Sequence, residues 1–402
     1  MHPGEPLSGA GARIAAIDAA RGAVMIVMAL DHVRDFIHRA AMVSSPTDLQ
    51  QTTVALFLTR WITHFCAPTF LFTAGLGAYF WWRRGRSRTE LAGFLVSRGL
   101  WFVLLELTVM RVAYNFSLFS AYPVLLIVLW VIGASMVVLA AGVWLPRRVL
   151  AGLAVAVIAL HNLLDPIAAA QLGSAAPLWT VLHQVGAIRL AGITFIVAYP
   201  LIPWVAVMAL GLASGPVFEQ DAAARQRILL RAGIAATLGF VVLRAINVYG
   251  DPVPWSSQPT AVFTVLSFLN TTKYPPSLAF LLMTLGPALI GLAWLDRSGV
   301  RSSHPLVVYG RAPLFYFVAH FFLAHLASAG LALARYGSAA WAFIGEPVPS
   351  MGGPRASYPP DFGYDLWVAY VVWIAVVLAL YPACRAVGAW KARSSQWWVS
   401  YL

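Results

Sequence analysis

The sequence predicts an all-α polytopic membrane protein, a single bundle of about ten or eleven transmembrane helices. Of its 402 residues, 60% are hydrophobic and only 10% are charged, and the mean hydropathy is +0.76. A soluble globular domain carries about 25% charged residues, so this composition excludes one. The apolar residues also recur in runs of roughly the 20 residues that a helix needs to cross a bilayer.

Ten apolar runs are each long enough to be read as a spanning helix. They lie at about 14–38, 54–81, 91–112, 121–144, 149–164, 191–213, 228–248, 275–295, 306–333 and 365–388. Between the fifth and sixth runs, residues 177–189 (PLWTVLHQVGAIR) are too short and too polar to cross alone. They are predicted to form a re-entrant or interfacial helix, which would be an eleventh element.

Basic residues are concentrated in alternate connections: RRGRSR at 83–88, PRR at 146–148, RQRILLR at 225–231, DRSGVR at 296–301 and KARSS at 391–395. Because cytoplasmic loops carry the excess of Lys and Arg, both termini are predicted to be cytoplasmic. The connections at 39–53, 113–120, 165–190, 249–272 and 334–364 are then outside. The last of these is rich in Gly and Pro and is either a flap over an external opening or an ordinary loop. The chain divides into a cytoplasmic tail at 1–13, one transmembrane domain at 14–388 and a second cytoplasmic tail at 389–402.

The net charge of +12 is explained by these orientation signals, so no nucleic-acid partner is expected. The first thirteen residues lack a basic segment followed by a short apolar core and a cleavage site, so no signal peptide is predicted. Cys66 and Cys384 lie in different apolar runs and are predicted near opposite halves of the membrane. No disulfide is therefore expected between them. Cys66 is read either as a buried thiol or as a carrier of an acyl group.

The first run is unusual because seven ionisable side chains lie within a segment of spanning length. A charge in the hydrocarbon core costs from about 3 to more than 10 kcal/mol unless it faces protein or water. Asp31, Asp35 and His38 are spaced to share one helix face, with Arg34 beside them and His32 on a neighbouring face. At the other end, Asp18 and Arg21 are three residues apart and are predicted to pair.

Polar side chains of other runs are predicted at the same outer level. Arg60 and His64 lie near the external end of the second run, just before the kinking Pro68, where they can meet the first run. The same set contains Glu106, Arg111, His325 and, nearer the middle of the membrane, His320. Arg189, Arg244 and Lys273 are read either as members of this level or as side chains that extend to the interface. Together these residues predict a hydrated pocket that is open to the outside and equipped for proton transfer, although each single histidine has a packing role as its alternative.

The opposite face offers arginines with little acid among them. Topology explains most of these, and the functional interpretation is that they bind a polyanion from the cytoplasm, either lipid headgroups or the phosphates of a nucleotide. The candidates are Arg83, Arg84, Arg86, Arg88, Arg147 and Arg148. The sequence contains no P-loop, Rossmann glycine fingerprint, CxxC pair or HExxH. Arg34 among His32, Asp35 and His38 argues against a metal site there, so no metal is expected.

Three segments carry a family resemblance: IDAARGAVMIVMALDHVRDF at 17–36, ITHFCAPTFLFTAG at 62–75 and GRAPLFYFVAHFFLAH at 310–325. They resemble bacterial relatives of heparan-alpha-glucosaminide N-acetyltransferase, within the transmembrane acyltransferase superfamily. The resemblance implies a bacterial inner-membrane enzyme that takes an acyl group from cytoplasmic acetyl-CoA or another acyl-CoA. It delivers that group to an acceptor on the far side, a hydroxyl or amine of a small molecule or glycan. By the same resemblance, Asp31 occupies the place of an asparagine at the helix end, and His32 or His38 stands for the essential histidine.

Two functional hypotheses follow from the cluster. In acyl transfer, His38 or His32 (with His64 as a third candidate) removes the acceptor's proton, Asp35 or Asp31 orients the imidazole, and Arg34 or Arg60 stabilises the developing oxyanion. In a proton-coupled transporter or flippase, the same groups form a proton relay, but the polar residues gather on one side of the membrane. A structural membrane protein without chemistry is the third reading. Besides acyl-CoA and the acceptor, membrane lipids are expected partners, and the sequence leaves homo-oligomerisation open.

Overall fold

The structure is a computed structural model that describes residues 14–394 together with Gln396 and Val399. The predicted tail at 1–13 lies outside the described residues. The described chain is mainly helical, and its helices are α1 (Ala15–Ile37), α2 (Val54–Ile62), α3 (Cys66–Trp82), α4 (Arg88–Leu105), α5 (Arg111–Asn115), α6 (Val128–Gly142), α7 (Arg147–Leu160), α8 (Ala176–Leu182), α9 (Leu201–Ala213), α10 (Ala222–Ile246), α11 (Ala261–Leu269), α12 (Leu278–Arg297), α13 (Pro305–Gly310), α14 (Pro313–Tyr336) and α15 (Leu366–Arg393).

In the described part of the chain, eight helical stretches are long and apolar enough to cross a membrane. They are Val54–Trp82, Arg88–Asn115, Arg147–Leu164, Leu201–Glu219, Ala222–Ile246, Leu278–Arg297, Pro313–Ala342 and Leu366–Arg393. Helix α1 is also long enough, at 23 residues, but it carries the charged cluster, and α6 is shorter, at 15 residues. The predicted integral membrane protein, built as a helical bundle, is confirmed.

A small sheet replaces parts of three predicted helices. Strand β1 (Val124–Leu126) pairs in parallel with β3 (Ile193–Val197), which pairs in antiparallel with β2 (Gly186–Leu190). The predicted helices at 121–144 and 191–213 therefore begin only at Val128 and Leu201, and the predicted helix at 177–189 is wrong beyond Leu182. The β-branched ITFIV segment favours a strand.

The turn between β2 and β3 explains why this segment forms a hairpin. Ala191 and Gly192 are its two central residues, and both have positive φ, at 49° and 81°. Two central residues with positive φ give a turn whose twist matches that of the paired strands. The predicted run at 306–333 is also interrupted, because α13 ends before Arg311 and α14 begins at Pro313. The predicted run at 365–388 continues as α15 to Arg393.

Glycines allow the closest helix contacts. A Cβ atom on Gly22 of α1 would overlap the Leu306 carbonyl of α13, and one on Gly310 would overlap the Asp18 carbonyl. Helices in membranes approach closely through such small residues. The α1–α13 contact therefore fixes the first half of α1, which carries Asp18 and Arg21, against the start of α14.

The predicted loops meet at two ends of the bundle. Among those predicted to be external, Arg39 N donates to Tyr364 O at 3.0 Å and Asn270 donates to Thr47 O at 3.0 Å. Among those predicted to be cytoplasmic, Arg83 pairs with Glu219 at 2.7 Å, and Arg225 pairs with Asp296 at 2.8 Å. We call these the Tyr364 end and the Arg83 end. The grouping of the loops agrees with the alternation of basic residues along the sequence.

Candidate functional site

The second half of α1 holds a buried ion-pair cluster near the Tyr364 end. Asp31 pairs with Arg34, one helical turn later, at 2.9 Å, and also with Arg60 in the last turn of α2. Arg34 contacts Asp35 as well. Asp31 and Arg34 are only 5% and 2% exposed. The predicted meeting of the first two apolar runs is therefore present as an Asp31–Arg60 ion pair.

Three residues from other segments complete this group. Arg60 donates to the Tyr274 hydroxyl at 3.1 Å. The Lys273 ammonium lies 5.1 Å from the Tyr274 ring centre and 5.9 Å from that of Tyr199. Burial raises the pKa of Tyr274, but Lys273 and Arg60 beside it lower that pKa to about 8. We call the set of Asp31, Arg34, Asp35, Arg60, Lys273, Tyr274 and Tyr199 the Asp31 cluster.

Two histidines form a pair against this cluster. The rings of His32 and His320 are 5.2 Å apart, and His32 Nδ1 lies 4.0 Å from Asp35 Oδ2. His320 Nδ1 is 2.8 Å from the Tyr316 carbonyl. Since a carbonyl only accepts, Nδ1 carries the proton when the ring is neutral, and Nε2 keeps a lone pair. That Nε2 atom is buried without a hydrogen-bond partner in the described part of the chain.

The other predicted bases occupy different surroundings. His64 is 2% exposed, and its ring lies 5.3 Å from that of Phe280. His38 does not continue the helical face of Asp31 and Asp35, because α1 ends at Ile37 and His38 has extended backbone angles. That geometric prediction is wrong. His38 Nδ1 instead faces the Tyr364 carbonyl at 3.0 Å.

Three residues that the sequence assigned to the same pocket form hydrogen bonds with other parts of the protein and connect its helices and loops. They are Glu106, Arg111 and His325. Glu106 accepts from the Tyr114 hydroxyl at 2.9 Å and from the first backbone N–H groups of α6, at 2.8 and 3.0 Å. Arg111 donates to three carbonyls of residues 118–122. His325 lies between the carbonyls of Ala113 and Ile344, at 2.9 and 3.1 Å.

Lys273 and Arg244 were read either as members of the outer polar level or as side chains that extend to the interface, and both are buried. Lys273 is 9% exposed and belongs to the Asp31 cluster, and Arg244 is 2% exposed. Arg244 donates to the carbonyls of Phe268 and Val253 at 3.0 and 3.1 Å, and to that of Ser267 at 2.9 Å. Their burial differs from the exposure expected of a long basic side chain that extends to the interface.

A cavity of about 780 Å³ opens at the Arg83 end. Its basic lining residues are Arg21, Arg84, Arg98, Arg311 and Lys391, and they come from five separate segments. Asp18, which also lines it, lies 3.3 Å from Arg21, as predicted, and 3.7 Å from Arg311. A cluster of cations on one cavity wall favours an anionic ligand.

Most of the remaining cavity wall is apolar, and it reaches Phe317 beside the histidine pair. It includes Phe70, Phe102 and Phe317, and it follows α6 from Val128 to Met136, about 12 Å at 1.5 Å per residue. The Phe317 ring lies 5.7 Å from that of His320. A long ligand with an anionic end at the basic residues would therefore place its other end beside the His32–His320 pair.

Only one of the six arginines that the sequence proposed for a polyanion lines this cavity, namely Arg84. Arg83 pairs with Glu219, Arg86 lies 4.0 Å from the Trp81 ring centre, and Arg88 donates to a backbone carbonyl. Arg88 and Arg147 line a second, smaller cavity of about 260 Å³. Arg148 lines neither of these two cavities. Sequence reasoning missed Arg98, Arg311 and Lys391, because no spacing along the chain connects them.

Across the described residues, no group of three His, Cys, Asp or Glu side chains is arranged to hold a metal ion. Cys66 and Cys384 are both free and buried. Cys66 Sγ donates to the Val24 carbonyl at 3.2 Å, which agrees with a packing role.

Helices, cavity and cluster together define an integral membrane protein with a cavity at one end and a buried imidazole pair next to the cavity-lining Phe317. The family model for the catalytic region of heparan-alpha-glucosaminide N-acetyltransferase matches residues 13–249, more than half of the chain. The chain therefore belongs to this family of membrane acetyltransferases, which confirms the predicted resemblance. Among curated proteins, no match to the chain is found. The matched region covers α1 to α10, so His320, Arg311 and Lys391 lie beyond it.

Proposed function

We propose that this protein transfers an acetyl group from acetyl-CoA, bound in the cavity at the Arg83 end, to a sugar amine or hydroxyl that arrives from the Tyr364 end. Membership of the acetyltransferase family supports the reaction class. The observation that carries the proposal is the cavity itself, with basic residues at one end and Phe317 beside His320 at the other.

The cavity fits the chemistry of a coenzyme A thioester. Its phosphates require several cations, and charge-assisted hydrogen bonds from arginine are the strongest that a side chain offers. Its thioester end requires an uncharged wall, which the phenylalanines and α6 supply. A volume of about 780 Å³ lies within the range of roughly 300 to 1,000 Å³ typical of ligand pockets.

One imidazole of the His32–His320 pair acts as the general base. It takes the proton from the acceptor as the acceptor's nitrogen or oxygen bonds to the acetyl carbon, and it returns that proton to the sulfur as the carbon–sulfur bond breaks. Arg34 and Arg60 stabilise the negative charge that develops on the acetyl oxygen. Asp35, close to His32 Nδ1, orients that ring.

The proposal assigns sides to the bundle. The Arg83 end and both termini are cytoplasmic, because the basic connections gather there, and the Tyr364 end is external. The eight apolar spans, together with α1 and α6, give ten crossings in an inner bacterial membrane. Acetyl-CoA then reaches its cavity from the cytoplasm.

Sealed vesicles that hold glucosamine inside and receive radiolabelled acetyl-CoA outside test this function. Labelled N-acetylglucosamine inside the vesicles is expected, whereas a proton-coupled transporter would move unmodified sugar without labelling it. Arg84→Met, which removes a cation from the cavity, is expected to raise the KM for acetyl-CoA about tenfold, the equivalent of one charge-assisted bond.

Arg83→Met is the matched control, because the neighbouring Arg83 pairs with Glu219 and does not line the cavity. Its KM for acetyl-CoA is expected to stay within about twofold of the unmodified protein. Equal KM values for both variants, or the absence of labelled N-acetylglucosamine inside the vesicles, would contradict the proposal.

A further inference from the structure

The smaller cavity at the Arg83 end, of about 260 Å³, shares no lining residue with the larger one. Arg88 and Arg147 supply its charge, and no acidic side chain of the described chain lines it. The rest of its wall is apolar and consists of Trp82, Leu91, Val143, Leu145, Leu150 and Leu212. Two cations over an apolar wall favour an anion that also has an apolar part. We call this space the Arg147 cavity.

The two arginines have donors left for a ligand. Arg88 uses Nη1 for a backbone carbonyl at 2.9 Å, and Arg147 has no hydrogen-bond or ion-pair partner among the residues that the structure describes. The acids of this region already have partners. Glu219 pairs with Arg83 at 2.7 Å, and Glu90 caps the first turn of α4. The cavity therefore contains positive charge without a carboxylate of its own.

The ends of three apolar spans meet at this cavity. Arg88 and Arg147 are the first residues of the spans Arg88–Asn115 and Arg147–Leu164, and Trp82 is the last residue of Val54–Trp82. Tryptophan and the basic residues are typical of the ends of spanning helices, where the bilayer meets water. The phosphates of phospholipids lie at this depth, so the arginines are at the level of the headgroups.

The surfaces beside the cavity suit acyl chains. Trp144 and Leu145, before α7, and Val149 and Leu153, on its first two turns, are exposed. In a bilayer these apolar side chains contact lipid tails. The volume of about 260 Å³ lies below the range of roughly 300 to 1,000 Å³ for pockets that enclose a whole small ligand. A headgroup therefore fits inside, while the chains of the same molecule lie outside along α7.

We propose that the Arg147 cavity binds an anionic phospholipid, with Arg88 and Arg147 donating to the phosphate oxygens. Basic pockets between spanning helices at this depth are typical sites for anionic headgroups. The site is separate from the proposed acetyl transfer, and it can be tested on protein that is not turning over.

The experiment measures the unfolding temperature of the purified full chain in an uncharged detergent, which supplies no anionic headgroup. Phosphatidylglycerol is added in one series and phosphatidylcholine in another. Phosphatidylglycerol is expected to raise the unfolding temperature more than phosphatidylcholine does. In Arg147→Met and in Arg88→Met, the concentration that gives half of this rise is expected to increase about tenfold, the scale of one charge-assisted contact. Both arginines are exposed, so these variants are expected to fold.

Arg148→Met is the matched control, because the neighbouring Arg148 contributes the same charge to this face and lines neither cavity. Its half-effect concentration is expected to stay within about twofold of the unmodified protein. An equal increase in Arg147→Met and Arg148→Met would show a diffuse attraction to basic surface and would overturn the proposal. An increase in Arg84→Met, with none in Arg147→Met, would place the lipid in the larger cavity and would overturn it as well.

A third series with glycerol 1-phosphate distinguishes a lipid from a soluble phosphate, since this molecule carries the phosphate without acyl chains. At the concentrations at which phosphatidylglycerol acts, it is expected to leave the unfolding temperature unchanged. Stabilisation by glycerol 1-phosphate that equals that by phosphatidylglycerol, and that Arg147→Met removes, would assign the cavity to a soluble anion. Equal stabilisation by the two phospholipids would also contradict the proposal.

Discussion

Two buried polar regions of this bundle differ in how completely their hydrogen bonds are made. Around Glu106, the carboxylate accepts from Tyr114 and from two backbone N–H groups of α6. In the Asp31 cluster and the adjoining histidines, Arg34 Nε and Nη1, His64 Nδ1 and His320 Nε2 have no partner among the described residues. Buried polar groups are normally paired.

The comparison separates scaffold from site. A polar residue with all its partners in the protein stabilises the arrangement of helices, and its loss should appear as lost stability. In the Asp31 cluster and at His320, the unmet donors and lone pairs are available to a ligand, and loss of these residues should appear as lost activity. Substitutions in both regions test whether scaffold and site differ in this way.

The largest effect is expected at the His32–His320 pair. Alanine at the residue that acts as base should lower kcat for acetyl transfer by about 10² to 10⁴, the usual contribution of general base catalysis. Acetyl-CoA binding should remain nearly intact, because the basic lining of the cavity lies at the Arg83 end. Single-turnover transfer and acetyl-CoA binding, measured on the same preparation, check both statements.

His38→Ala and His325→Ala are the matched controls, since ring nitrogens of these histidines face backbone carbonyls of the protein. Each is expected to retain transfer within about tenfold of the unmodified protein. Loss of transfer in His38→Ala, with activity kept in both His32→Ala and His320→Ala, would assign the base to the end of α1 instead.

A smaller effect, on stability, is expected at Glu106. Glu106→Ala leaves two backbone N–H groups of α6 and the Tyr114 hydroxyl buried without an acceptor, and should cost about 3 kcal/mol or more in the free energy of unfolding. Glu106→Gln keeps an acceptor oxygen and should lose less. Thermal unfolding followed by size-exclusion chromatography measures this difference. Transfer per folded molecule should change little in Glu106→Gln, and a large loss there at unchanged stability would place Glu106 in the site.

The same contrast shows what the sequence could predict. The three-residue spacing of Asp31 and Arg34 predicts their pair, and the charged end of the second run predicts that Arg60 can reach the first. Both are local patterns of charge on a helix. The hydrogen bonds of Glu106 could not be predicted from the sequence, because two of its three partners are backbone N–H groups of α6, which leave no trace in side-chain identity.

The cavity and the sheet were missed for a different reason. Arg98, Arg311 and Lys391 come together only through packing of α4, the α13–α14 connection and α15, and hydropathy runs contain no information about which helices are neighbours. Strand β3 was read as the start of a helix because its residues are apolar, although its β-branched side chains and the Ala191–Gly192 turn both favour a hairpin. In a membrane sequence, apolarity alone does not distinguish the two.

The smallest effect concerns pH and sharpens the comparison within the cluster itself. Because the pKa of Tyr274 is lowered to about 8, its hydroxyl is mostly neutral at pH 7 and mostly ionised at pH 9. That pKa is lower than the ordinary value near 10 of a tyrosine in the unfolded chain, so ionisation favours the folded state as the pH rises through 8. The unfolding temperature is therefore expected to rise between pH 7 and pH 9, and Tyr274→Phe should remove this rise.

Tyr122→Phe is the control, because burial raises the pKa of Tyr122 to about 12 and that hydroxyl stays neutral throughout. Titration of phenolate absorbance in the unmodified protein, compared with Tyr274→Phe, measures the ionisation directly. A rise of equal size in Tyr274→Phe would show that another group titrates, and the ionisation of Tyr274 would then have no part in stabilising the cluster.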